Sequence, residues 1–304
     1  MMQPRRRNLT MVIGLLLVLG QLTSYAQDKK PRVNDDTAKK IAAAVPKKAR
    51  VKPSKRHKIL VLSYQSHNAG RFAGEKAMEL MAENTGAFEL TFVYDAKKLP
   101  EVMVPEYLKQ FDAVCHNNST GGGGKAANGK ELADNLDEYV SNGGGLFGFH
   151  AATDNRAGKV FGGFFTGHPW SMNVGIKLDD PEHPLCSVFE GKGFMVNDEI
   201  YQFNKGTYTR EKLRVLLSLD MNKNPARGKR EDKDYAVAWV KQHGKGRIFY
   251  SSLGHRAEIW WNPTLMQFYL DGIQFALGDL DGDMTPSAKL NPQPAPALVP
   301  DQEQ

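Results

Sequence analysis

A buried strand that stops at a histidine constrains this chain more than any other stretch. Residues 143–154 read Gly-Gly-Gly-Leu-Phe-Gly-Phe-His-Ala-Ala-Thr-Asp. Leu146, Phe147 and Phe149 form the short apolar run of a strand covered on both faces, as in a parallel sheet. The run ends at His150, where Ala151, Ala152, Thr153 and Asp154 change the composition to that of a turn or helix start. A polar side chain at the carboxyl end of such a strand projects into the crevice where open α/β sheets bind ligands. Gly148-x-His150-x-Ala152 has the small flanking residues of a nucleophile elbow, with histidine at the apex in place of serine or cysteine. His150 is therefore the predicted marker of the functional site.

Upstream, residues 59–64, 88–94 and 111–115 read as further strands, and helical spacing runs from Phe72 to Met81 and from Leu132 to Val140. This β-α-β-α-β-α-β order predicts an α/β fold with a parallel, doubly wound sheet. His67, the run from His116 and Asn117 to Thr120, and His150 to Asp154 all follow strands, so they are expected along one sheet edge. The second half is less regular. Strands are expected at 172–178, 194–203, 213–219, 235–242 and 247–252, the last two joined by the His243-Gly244-Lys245-Gly246 turn. A helix carrying Trp260, Leu265, Phe268, Tyr269 and Ile273 follows. Residues 27–57, rich in Lys, Pro and Ala, are expected as a basic disordered linker with one short helical possibility at Thr37–Val45, and residues 281–304 as a Pro-rich disordered tail.

The formal net charge of +6 is unevenly spread. Residues 1–27 carry +3, residues 28–58 carry +9, and the remaining body carries −6. A mildly acidic body argues against nucleic-acid binding. Arg5, Arg6 and Arg7, the apolar run from Met11 to Gly20 and the Ser24-Tyr25-Ala26 cleavage pattern predict a signal peptide over residues 1–26. The run is short for a transmembrane helix, so an exported protein, periplasmic or secreted and not stably inserted in the membrane, is expected. Two cysteines, Cys115 and Cys186, make no disulfide framework, and neither sits at an elbow, which disfavours a cysteine nucleophile. Gly143-x-Gly145-x-x-Gly148 matches a dinucleotide fingerprint in letters only, because its glycines enter the strand instead of following it.

His150, His168 and His255 each follow a strand-like or Gly-rich segment, and imidazoles there can shuttle protons or bind a divalent metal such as zinc. Their spacing leaves both roles open. Asp198-Glu199 places carboxylates in an apolar strand, where desolvation raises a pKa toward acid–base use. Tyr201, Trp260 and Trp261 offer rings to the apolar face of a sugar, with core packing expected of at least one.

Taken in order, the segment from Gly143 to Asp154, Gly167-His168-Pro169, His183-Pro184, Asp198-Glu199-Ile200-Tyr201-Gln202-Phe203, Ala238-Trp239 and the run from Gly246 to His255 resemble the ThuA-like, trehalose-utilisation family over roughly residues 58–280. The resemblance implies a class I glutamine amidotransferase-like fold, a flavodoxin-like three-layer sandwich with a mainly parallel sheet, without the amidotransferase cysteine. It also implies a part in disaccharide catabolism, with oxidised (3-keto) glycosides as the suspected substrates. Two departures bear on substrate contacts. Asn155-Arg156-Ala157-Gly158-Lys159 replaces a Trp-rich segment, and Tyr235-Ala236-Val237 stands where His-Pro is usual. The reading is an exported carbohydrate-processing protein, a hydrolase, lyase or isomerase acting on a glycoside or keto-sugar. The alternative is a non-catalytic carbohydrate- or partner-binding domain on the same fold. His150, Glu199 and His255 are the expected catalytic groups, and His116, Asn117, Asp154, His168 and Tyr201 the expected substrate contacts. His150, His168 and His255 are the candidate metal ligands.

Overall fold

The computed structural model describes residues 33–64, 68–119, 129–153 and 157–301. The expected signal peptide lies outside the described residues, as do His67, Thr120 and Asp154. The strands are β1 (His57–Leu62), β2 (Phe88–Val93), β3 (Ala113–Asn117), β4 (Gly145–Phe149), β5 (Phe165–Leu178), β6 (Phe194–Phe203), β7 (Arg214–Leu219), β8 (Ala236–His243) and β9 (Gly246–Ser251). Among the described residues they form one sheet in the order β2-β1-β3-β4-β9-β8-β7-β5-β6. The pairs from β2 to β9 are parallel, and those from β9 to β6 are antiparallel.

Alternation along the central strands sends side chains to two apolar layers. Ile59, Val61, Cys115, Phe147 and Phe249 face helices Ala69–Thr85 and Pro263–Ala276. Leu60, Leu62, Val114, Leu146 and Ile248 face helix Gly129–Ser141. The result is the expected three-layer sandwich. The helices start and stop where local chemistry directs. Asn68 caps the first by accepting from the Arg71 N–H at 2.8 Å, and Gly86 ends it in the left-handed region, where glycine is unstrained. Both cysteines are buried, Cys115 beside the Met78 sulfur and Cys186 near the Leu216 carbonyl. No helix of the described residues is long and apolar enough to cross a membrane.

Two segments expected to be disordered are built into the fold. Residues 33–57 contain helix Asp35–Ala44, which buries Ile41 against the 69–85 helix and the 257–261 turn. The sequence there is rich in lysine, but its one apolar stripe suffices because a matching surface receives it. Residues 281–301 run back across the domain. Ala297 pairs with Leu178, Val299 is buried, and Ser287 donates and accepts through its backbone and hydroxyl at the end of β7.

The pairing of β5 carries the most consequence for function. Only residues 176–178 of β5 pair with β7, while its length from Phe165 to Ile176 pairs with β6. Beyond the sheet proper, β5 and β6 continue as a two-stranded arm. Contacts described below bring the second half of β6 against the carboxyl ends of β4 and β9.

Candidate active site

The turn after β4 builds the centre of the site. His150 has φ +50°, an uncommon conformation for a residue with a Cβ, and it turns the chain into the short 150–153 helix. Gly148 permits the turn, since a Cβ there would lie 2.6 Å from the Phe161 ring and 2.7 Å from Ala152. Tyr250 of β9 fastens it by donating to the His150 carbonyl at 2.7 Å, with Thr153 3.0 Å from the same hydroxyl. Strain at a strand end, held by a neighbouring strand, is the geometry that the Gly148-x-His150-x-Ala152 pattern predicts.

The His150 ring is buried and its protonation pattern is fixed by its partners. Nδ1 lies 2.8 Å from the Ser252 carbonyl, which can only accept, so Nδ1 carries the hydrogen. Burial pushes the ring's pKa down to about 3, against the pull of the Ser252 bond and with the help of nearby His255 and His168. The neutral ring therefore presents a bare Nε2 lone pair. Toward it come the Tyr201 hydroxyl at 3.0 Å and His255 Nδ1 at 3.1 Å. His255 Nδ1 also lies 3.1 Å from Glu199 Oε2, and Glu199 Oε1 lies 3.3 Å from His168 Nδ1. Tyr201, His150, His255, Glu199 and His168 thus form one continuous chain of polar contacts, running from a buried ring to an exposed one.

Asp198 explains why Glu199 and His255 meet. Its carboxylate is buried and accepts from the Gly254 N–H at 2.6 Å, the His255 N–H at 3.3 Å and the Arg256 N–H at 3.0 Å. Adjacent residues on a strand point opposite ways. Asp198 therefore grips the loop after β9 while Glu199 reaches His255 from the other side. Burial pushes the Asp198 carboxyl up to about 7, against the lowering effect of these backbone donors. Asn118 makes a second clamp. It has φ +51°, its N–H donates to the Phe149 carbonyl at 3.2 Å, and its side chain donates to the Gly254 carbonyl at 3.1 Å.

The structure brings His150, Glu199, His255, His168 and Tyr201 together. His116 and Asn117 go elsewhere. As neighbours on β3 they face opposite layers: His116 sits edge-on to Phe161 with Nδ1 3.0 Å from the Ser119 hydroxyl. Asn117 donates to Ser63 Oγ and to the Arg71 carbonyl, in a buried group with Glu75. Neither joins the cluster around His150. Trp260 is fully buried against Phe149, and Trp261 lies under the Lys40 ammonium, so neither offers a sugar platform. The Phe165 ring, by contrast, is partly exposed, 4.3 Å from Tyr201 and stacked with His168 at 6.0 Å and 12°. Of the expected metal set, His150 and His255 share with Glu199 a cluster whose donor atoms lie within 4.8 Å of one another; His168 stands behind the carboxylate.

Comparison with known proteins agrees with this architecture. The ThuA (trehalose utilisation) family model matches residues 58–276. A ThuA-like protein from Bacteroides uniformis superposes with a TM-score of 0.57 at 24% identity, covering 73% of this chain and 91% of its own. One from Parabacteroides merdae gives 0.53 at 16% identity, covering 76% and 93%. At these identities the likeness speaks for the fold, the glutamine amidotransferase-like sandwich. No curated protein matches.

Proposed function

This chain belongs to the ThuA (trehalose utilisation) family, which ties it to carbohydrate catabolism, and from that premise we propose that it is an enzyme acting on a glycoside or keto-sugar. The observation that carries the proposal is the continuous contact chain from Tyr201 through His150, His255 and Glu199 to His168. Cleavage, elimination and isomerisation of sugars all move protons between oxygen or carbon and a positioned side chain. That contact chain supplies a phenol, three imidazoles and a carboxylate, each within contact distance of the next. The His150 ring is held neutral by burial, and its remaining nitrogen faces inward as an acceptor. At the other end His168 is exposed and can exchange protons with water. Phe165, beside it, offers an apolar ring to the face of a pyranose. The positions of the cysteines support a reaction without a thiol nucleophile, since the elbow belongs to His150 and both thiols are buried. The leader-like residues 1–26 support export, which N-terminal sequencing of the mature protein would test.

The test is turnover by the purified chain on trehalose, other disaccharides and their 3-keto derivatives, with products identified by NMR. Wild type is expected to convert at least one class. Glu199→Gln and His255→Asn are expected to lower kcat by about 100-fold or more, the scale of lost acid–base catalysis. Saturable sugar binding without conversion would overturn the enzymatic reading and leave a carbohydrate-binding domain.

A further inference from the structure

We propose that His150 Nε2, His255 Nδ1 and a Glu199 carboxylate oxygen form a binding site for one divalent transition-metal ion of the zinc class. The proposal rests on the reading of this cluster as the reaction centre and assigns its core a narrower role.

Three observations carry it. The first is spacing. Two of the donor pairs, His150 Nε2 to His255 Nδ1 and His255 Nδ1 to Glu199 Oε2, are each 3.1 Å apart. Donors at metal–nitrogen distances of about 2.0–2.1 Å in a tetrahedral site stand roughly 3.3 Å from each other. The third pair, His150 Nε2 to Glu199, is within 4.8 Å.

The second is the way the donors are held. A metal-bound imidazole usually gives its other N–H to a carbonyl or carboxylate, which fixes the tautomer and aims the free nitrogen. His150 does this through Nδ1 and the Ser252 carbonyl at 2.8 Å. Glu199 is oriented likewise, its outer oxygen 3.3 Å from His168. The loop that carries His255 is pinned by Asp198 through three backbone N–H groups. Each donor is thus aimed by a partner that is not itself a donor to the ion.

The third is hydrogen-bond accounting. His150 Nε2 and Glu199 Oε2 are acceptors, and both approach the single nitrogen His255 Nδ1. With the one ring hydrogen there given to Glu199, His150 Nε2 is served by the Tyr201 hydroxyl 3.0 Å away, and the two imidazole nitrogens then face each other with no hydrogen between them. A cation serves all three lone pairs at once. Two imidazoles and one carboxylate suit zinc, cobalt, iron or manganese, and calcium or magnesium poorly.

Three protein donors leave coordination positions for a water or a sugar oxygen, in the manner of catalytic sites. His255 and His168 are the exposed members, so approach is from their side. The ion would act as a Lewis acid on a carbonyl or hydroxyl oxygen of the sugar. Tyr201 and His168 would then be the groups left to give and take protons.

The experiment is titration of chelator-treated full-length protein with CoCl2, read by the visible d–d absorption of bound cobalt, followed by competition with ZnCl2. One equivalent of cobalt is expected to bind in a low-coordinate site and to be displaced by zinc. Glu199→Gln and His255→Asn, at partly exposed positions and checked for folding by circular dichroism, are expected to lose that equivalent. His168→Ala is expected to keep it with affinity lowered about 10- to 100-fold. The inference is overturned by absent stoichiometric uptake, or by uptake that both donor variants retain. Cobalt uptake without sugar turnover leaves the site standing and defeats the catalytic reading. Turnover by protein that takes up no metal does the reverse.

Discussion

At Asp198 a single carboxylate decides where two other functional groups stand. It takes three backbone N–H bonds from residues 254–256 and is fully buried. Asp198→Asn preserves shape but replaces one acceptor oxygen with an NH2 group facing N–H donors. A buried donor left unsatisfied costs about 1–3 kcal/mol. The variant is expected to unfold at lower urea concentration by that amount and to lose turnover through a misplaced His255. Unchanged stability with full turnover would show that the loop holds itself. Sequence reading pointed to His150, Glu199 and His255, because a strand end, a carboxylate in an apolar run and a second strand end leave composition signals. Asp198 carries no sequence signal beyond that of a carboxylate beside Glu199. Its role as an acceptor for a loop some 56 residues away leaves no local trace. The Asn118 clamp on the Gly254 carbonyl leaves none either. His116 and Asn117 share one strand end, but alternation on β3 turns their side chains into the two layers.

Elements were legible where their pattern was regular. The parallel strands, the helices between them and the β8–β9 hairpin follow from apolar runs and turn residues. The start of β5 did not, because residues between Phe165 and Trp170 shift register against β6 and include Gly167 and Pro169. Bulges and proline break the alternation that identifies a strand. In the N-terminal segment the short helix is legible near Thr37–Val45, but its docking on the domain is not. Its lysines face solvent, and its anchorage is tertiary: the Arg50 N–H donates to Gln274 Oε1 at 2.8 Å, and its guanidinium lies 3.0 Å from buried Asp271 and 2.8 Å from Ser187 Oγ. Burial pushes the Asp271 carboxyl up to about 6 even with Arg50 in place. Removing one partner of a fully buried pair costs about 3–5 kcal/mol, and exposed pairs are worth about 1 or less. Arg50 is itself about one-third exposed, so Arg50→Ala is expected to cost about 2 kcal/mol, between those limits. Urea unfolding of the variant checks this. An unchanged midpoint would mean that the segment is only draped over the domain.

At the scale of the whole molecule, the site exists because a mixed sheet folds its antiparallel arm back over its parallel half. The β4 and β9 ends deliver His150 and His255, and the arm delivers Glu199 and Tyr201 from the sheet's far edge. Strand order across such a sheet is not written in local periodicity, so sequence could name the groups and not the route by which they meet. The same deep burial gives the fold a pH dependence. Burial lowers the His116 pKa to about 4 from an ordinary 6.5, and lowers His183 in the same direction. Between pH 6.5 and 4 the unfolded chain therefore binds a proton at residue 116 that the folded chain refuses. Stability from this group is complete above about pH 6.5 and is lost as pH falls toward 4, by up to about 3 kcal/mol at 1.36 kcal/mol per pKa unit. Asp198 acts in the opposite sense. Its folded pKa near 7 exceeds the ordinary 3.8, so its contribution is greatest in acid and declines as pH rises to 7. The net slope of wild type mixes these effects, and a substitution separates them. His116→Gln retains a polar group beside Ser119 and cannot titrate. Urea unfolding at pH 7.5 and 4.5 is expected to find the variant losing about 1–3 kcal/mol less than wild type on acidification. Parallel losses in the two proteins would mean that His116 accepts its proton without disturbing the fold, and that the buried layer around Phe161 is open to water.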